Sequence, residues 1–171
     1  MMLTGWAKTA GNLALLVHAS LVAGPLLLSP LWLSKRSGTE PSKSYALKAN
    51  LYILIFGFYG NYFGSEYFFD VLGLVYRFPN PPTTLDSALV GSGKQHVPVI
   101  MYLYTHAYFM TYHTSAVVIL RRLRTSGLPG VRLGFPIAVF VVGYFWAWLE
   151  TKAMANPTLA GAFYYEKMDT M

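Results

Sequence analysis

The chain contains no cysteine, which excludes disulfides, thiolate metal sites and a cysteine nucleophile and leaves the redox compartment open. It lacks an N-glycosylation acceptor, because Asn156 is followed by Pro157. Its four histidines form no H-x-x-x-H pair, so the clustered histidine boxes of di-iron membrane hydroxylases and desaturases are missing. Haem held between facing helices would need a second histidine at the depth of His106, and only His18 offers one. No metal and no cofactor is expected. Charge is scarce as well: 12% of residues are Asp, Glu, Lys or Arg, against roughly 25% in soluble domains.

What fills the sequence instead is apolar. Hydrophobic residues make up 54% and mean hydropathy is +0.40, which points to lipid as the solvent. Aromatic residues reach 16%, with 13 Tyr and 11 Phe, more than plain lipid-facing helices need, so an interior lined with rings is expected. The net charge of +6 sits in short connections between apolar runs, where the positive-inside rule places it. No nucleic-acid partner is expected.

Four apolar stretches, 12–33, 46–73, 97–120 and 133–154, approach or exceed the ~20 residues that cross a bilayer as helix. The first exceeds the apolar core of a signal peptide, ~7 to 15 residues, and reads as a true span. The expected fold is therefore all-α: a polytopic membrane bundle of about four transmembrane helices forming one domain over 1–171. Lys35, Arg36, Lys43 and Lys48 lie in or beside the first connection, and Arg121, Arg122, Arg124 and Arg132 in or beside the third. Lys8, Arg77, Lys94, Lys152 and Lys167 are the thinner set elsewhere. The first and third connections should face the cytosol, leaving both termini and the Pro/Gly-rich linker 77–96 opposite. Trp6, Trp32 and Tyr76 near span ends read as interfacial belt residues. No solenoid repeat is visible, and Gly91-Ser92-Gly93-Lys94 lacks the earlier Gly, the Ser/Thr and the strand of a phosphate loop.

An ionisable side chain within a span costs several kcal/mol by insertion scales, so each is a candidate for function. Here they are His18, Glu66, Asp70, His106, His113 and Glu150. At ~1.5 Å per residue, all but His113 fall in the non-cytosolic half. His106 and His113 are seven residues apart and share a helix face with Tyr102 and Phe109. Glu66 and Asp70 are four apart, and carboxyls so placed tend to share a proton. The bland reading of each polar residue is a hydrogen bond between helices, and of the Arg121, Arg122, Arg124 run a topology anchor.

Several motifs add to this. Lys48-Ala49-Asn50-Leu51-Tyr52-Ile53, Gly60-Asn61-Tyr62-Phe63, Tyr67-Phe68-Phe69, Val71-Leu72-Gly73, Thr105-His106, Phe109 and Tyr112-His113 occur in that order. So do Leu120-Arg121-Arg122-Leu123-Arg124, Leu149-Glu150-Thr151, Ala155-Asn156 and Tyr164-Tyr165-Glu166. Together they resemble the cycloeucalenol cycloisomerase (cyclopropylsterol isomerase) family over spans two to four. The plant-type pattern has His and Thr where this chain has Glu66 and Asp70, its second connection is shorter, and 157–162 reads as an insertion. Family members carry further hydrophobic segment at both ends, so the chain resembles a shorter version or an incomplete gene product.

The resemblance implies a membrane sterol isomerase that opens the 9β,19-cyclopropane ring of a cyclosterol, of the cycloeucalenol to obtusifoliol type, without a redox cofactor. In a eukaryote it would sit in the endoplasmic reticulum membrane. That chemistry needs a proton donor, a proton acceptor and a dry pocket that tolerates positive charge. Glu150 is expected as the acid and His106 or His113 as the base, with the reverse division as the alternative. Tyr62, Phe109, Tyr112 and Trp146 offer ring faces to a cation. Asn50 and Asn61 are expected to orient the acid or the sterol hydroxyl, and Glu66 and Asp70 join the substrate-binding candidates. Competing readings are a sterol double-bond isomerase of the emopamil-binding type and a non-catalytic lipid-binding or transport protein.

Overall fold

The computed structural model describes residues 10–78, 83–86, 90–155, 157, 159–161 and 163–166. Trp6, Lys8, Asn156 and Lys167 lie outside the described residues.

The described chain is mostly helical. Helix α1 (Asn12–Arg36) contains Pro25 and Pro30. Proline has no amide hydrogen to give to the carbonyl four residues back, so Pro30 leaves the Leu26 carbonyl without its helical donor. Asn50 of the next helix donates its side-chain amide to Leu26 at 2.9 Å and to Leu27 at 3.2 Å, which lets the helix continue through the break. A 3₁₀ turn (Pro41–Lys43) leads to α2 (Tyr45–Tyr59), capped by Ser44, whose hydroxyl accepts from the Leu47 amide. The chain then widens into a π turn (Gly60–Gly64) before α3 (Ser65–Asp70). After Pro98, α4 (Val99–Thr125) runs to its basic last turn. Gly130, at φ 77°, permits the tight entry into α5 (Val131–Met154).

Two of these helices, α1 and α5, are long and apolar enough to cross a membrane. α4 has the length but carries histidines and terminal arginines, and α2 has 15 residues before the π turn interrupts it. Outer faces are strongly apolar: Leu133, Phe140 and Tyr144 of α5 are 88%, 78% and 75% exposed, and α5 buries no residue. Contiguous apolar surface of that extent is foreign to a monomer in water.

Helix α4 is the hub, packing against α1, α2 and α5. Its contacts with α2 run in opposite order, Tyr102 on Phe58, Phe109 on Phe56 and His113 on Tyr45, so the two are antiparallel. With short connections between α1 and α2 and between α4 and α5, the helices alternate up and down. The connections 37–44 and 126–130 therefore share one end.

At the other end lies the buried core, where Leu15 and Ala19 of α1 meet Val97, Ile100, Met101 and Tyr104. It is completed by a feature that the all-α expectation misses. Strand β1 (Leu74–Tyr76) pairs antiparallel with β2 (Phe163–Tyr165), with Leu74 opposite Tyr165 and Tyr76 opposite Phe163. Three-residue strands this far apart in sequence leave no local periodicity to read.

Candidate active site: an aromatic cleft around Glu150

α2 and α5 flank α4, and the groove between them is an open-mouthed cleft of about 190 Å³. Each wall follows from local structure. α2 contributes Phe56 and Gly57; Thr105 and Phe109 of α4 stand 3.5 and 3.9 Å from where a Gly57 Cβ would lie, so the two helices pack in ordinary contact there. The π turn contributes Asn61, which donates its amide to the Gly57 carbonyl at 2.8 Å and receives the Thr105 hydroxyl at 3.5 Å. Single π turns inside helices recur at functional sites. α4 adds Met101 and Tyr108, and α5 adds Glu150 and Met154.

The two-stranded ribbon closes one side. Side chains alternate across a strand, so Leu74, Tyr76, Phe163 and Tyr165 line the cleft while Val75 and Tyr164 do not. Tyr164 is instead covered by the Arg77 guanidinium, 4.8 Å from its ring centre. Burial, and after it the nearby Glu150 carboxylate, pushes the Tyr165 hydroxyl up to about 12, so it stays a neutral donor. Burial likewise raises Tyr76, with Tyr165 and Tyr108 adding to it.

Of the residues named from sequence, Glu150, Asn61 and Phe109 line this cleft. Tyr112 stacks on Trp146 with centroids 5.1 Å apart and leans on Phe109 at 6.5 Å, forming a ring wall behind the lining. Tyr62 stacks on Phe58 at 5.6 Å. His106 and His113 do not line the cleft. His106 is 1% exposed, and neither ring nitrogen has a hydrogen-bond partner among the described residues. His113 shares a hydrogen bond of 2.9 Å with the Tyr45 hydroxyl, and His18 shares one of 2.9 Å with Tyr104.

Three further candidates face elsewhere. Asn50 spends its amide on α1, as above. Asp70 accepts from the Ser92 amide at 3.0 Å and from its hydroxyl at 2.6 Å. Buried Glu66 lies against Gly91, where a Cβ would overlap its carboxylate. Both carboxyls thus meet the 90–92 loop, outside the cleft lining. Tyr76, Thr105, Tyr108, Phe163 and Tyr165 also line the cleft and are not among the site candidates named from sequence. Of these, Tyr165 carries a sequence signal, since it falls within the Tyr164-Tyr165-Glu166 motif.

Against this geometry, comparison with known proteins gives one match to report, the cycloeucalenol cycloisomerase of Arabidopsis thaliana, 34% identical over 168 residues. The chain is a homologue of that cycloisomerase. The alignment takes in 95% of this chain and 54% of the relative, so the chain spans about half the length of the curated relative it matches. No family model and no solved structure matches. Homology extends through the elements that build the cleft, since nearly all of the chain is aligned.

Proposed function

We propose that the chain is a membrane-embedded cyclopropylsterol isomerase, with four spans formed by α1, by α2 with its π turn and α3, by α4 and by α5. The observation that carries this reading is a single carboxyl, Glu150, among the lining of an otherwise neutral, ring-rich cleft set into an apolar surface. A bilayer supplies a sterol from the side, where the groove between α2 and α5 opens.

In the proposed reaction the Glu150 carboxyl gives its proton to carbon 19 of a 9β,19-cyclosterol. The strained bond between carbons 9 and 19 breaks, carbon 19 becomes a methyl group and positive charge forms at carbon 9. Loss of the carbon 8 proton then gives the Δ8 double bond, so the sum is an isomerisation with no redox partner. Phe109 and Tyr108 stand in the lining, with Tyr112 and Trp146 behind them. Desolvated ring faces stabilise a cation by ~0.5 to 2 kcal/mol each, and they exclude the water that would trap it.

His106, which keeps both ring nitrogens uncommitted among the described residues, is the proposed proton acceptor; because it stands outside the lining, it takes the carbon 8 proton through a relay from the cleft and not from the sterol directly. His113, held by Tyr45, is the second choice. The test is direct conversion. The chain, folded in lipid nanodiscs and supplied with cycloeucalenol, should release a Δ8 sterol identifiable by mass spectrometry. A folded preparation that binds the sterol and leaves it unchanged overturns the proposal in favour of a lipid-binding role.

A further inference from the structure

Eight basic residues converge on the end of the bundle opposite the core: Lys35, Arg36, Lys43 and Lys48 in or beside the first connection, Arg121, Arg122, Arg124 and Arg132 beside the third. The one acidic residue on these connections, Glu40, is already paired with Lys43 at 3.0 Å. Arg121 lies over the Tyr45 ring at 5.6 Å. Arg124 and Arg132, by contrast, have no carboxylate partner among the described residues. They are set together by the short turn between α4 and α5, and two adjoining clefts at that turn are both lined by Arg124, Val131 and Arg132. The N-terminus of α5 opens there without a side-chain cap, adding partial positive charge. Together these groups offer a positive site to an anion.

The neighbouring surface says which anion. Directly below Arg132, Leu133, Ile137, Phe140 and Tyr144 form one stripe at helical spacing, 88%, 67%, 78% and 75% exposed. At ~1.5 Å per residue the stripe is about 16 Å long, matching the ~15 Å of one hydrocarbon leaflet. A phosphate joined to an acyl chain satisfies the arginines and the stripe at once; a free phosphate satisfies only the first.

We propose that the α4–α5 turn binds one anionic phospholipid, its phosphate held between Arg124 and Arg132 and an acyl chain lying along the α5 stripe. The site is separate from the Glu150 cleft and does not depend on the isomerase reading, although it rests on the membrane reading. Arginine suits it because the planar guanidinium meets phosphate oxygens in pairs.

The test is native mass spectrometry of the detergent-purified chain titrated with phosphatidylserine and phosphatidylcholine of the same acyl length. Wild type should favour phosphatidylserine by roughly tenfold. The Arg124→Gln, Arg132→Gln pair should erase that preference while keeping phosphatidylcholine adducts, which show that the protein is folded and still lipid-binding. The Lys43→Gln control should retain the preference, and Arg124→Lys, Arg132→Lys should recover part of it.

Phosphatidylcholine adducts with no preference in wild type, or an unchanged preference in the Gln pair, overturn the site alone. Absence of adducts of either lipid on a folded preparation removes the membrane reading and the site with it. Displacement of phosphatidylserine by an equal concentration of inorganic phosphate assigns the arginines to a free anion and overturns the lipid proposal.

Discussion

Asn50 on α2 donates its side-chain amide to the Leu26 carbonyl of α1 at 2.9 Å, the carbonyl that Pro30 deprives of its own helical donor. Polar cross-helix bonds inside a membrane repay their burial when they satisfy a backbone group that has no other partner. Asn50 is 3% exposed, so water cannot replace it.

Asn50→Ala should therefore cost about 1 to 3 kcal/mol of stability in detergent or nanodiscs, the range for leaving a buried acceptor unpaired. Pro30→Ala restores the missing amide hydrogen, and in that background the same Asn50→Ala change should cost distinctly less. A double-mutant cycle followed by thermal unfolding reads the coupling, expected within about 0.5 to 3 kcal/mol. Simple additivity would show that Asn50 serves something other than the break in α1.

How far the sequence made this architecture legible varies with the distance between partners. The four helical regions were readable because apolar length and helix spacing are local properties of the chain. Glu150, Asn61 and Phe109 were readable as site candidates because an ionisable or amide group in a ring-rich span has few other uses. Asn50 met the same description, yet which carbonyl it reaches is fixed by how α1 crosses α2, and neither sequence holds that information alone. Glu66 and Asp70, four residues apart, read as a proton-sharing pair; their meeting with Gly91 and Ser92 depends on where a distant loop returns. The β1–β2 ribbon fails for the same reason, since Leu74 finds Tyr165 only after α4 and α5 have folded between them.

The two bonds from Ser92 to Asp70 fasten the described part of the second connection to the end of α3. Asp70→Ala should release it, raising amide hydrogen exchange over 90–94 severalfold, as expected for about 1 kcal/mol of lost hydrogen bonding, with little change in α4. Gly91→Ala should be more damaging: Gly91 sits at φ 81° and a Cβ there would overlap the Glu66 carboxylate. If both variants exchange like wild type, the loop is held by other contacts.

Tyr165 gives the alkaline side of stability a specific cause. Its hydroxyl titrates near 10 in an unfolded chain and is pushed up to about 12 here by burial and by Glu150. The fold favours the neutral phenol, so that contribution is complete below pH about 10 and is lost as pH rises through about 12. Tyr165→Phe should flatten this limb in part, leaving the share due to the other buried tyrosines, among them Tyr76, which burial raises in the same direction. Thermal unfolding in detergent at about pH 9 and about pH 11.5 reads the difference. An unchanged limb would mean that Tyr165 already titrates as a free phenol.

The most direct measurement is turnover of a cyclosterol in deuterated water, comparing wild type with Glu150→Gln, which keeps the shape of the side chain and removes its acid proton. Proton delivery from the cleft predicts one deuterium in the new carbon 19 methyl of the wild-type product, and sterol binding without product from Glu150→Gln. A Δ8 product free of deuterium, or undiminished turnover by Glu150→Gln, would contradict the assignment of Glu150 as the acid that opens the ring.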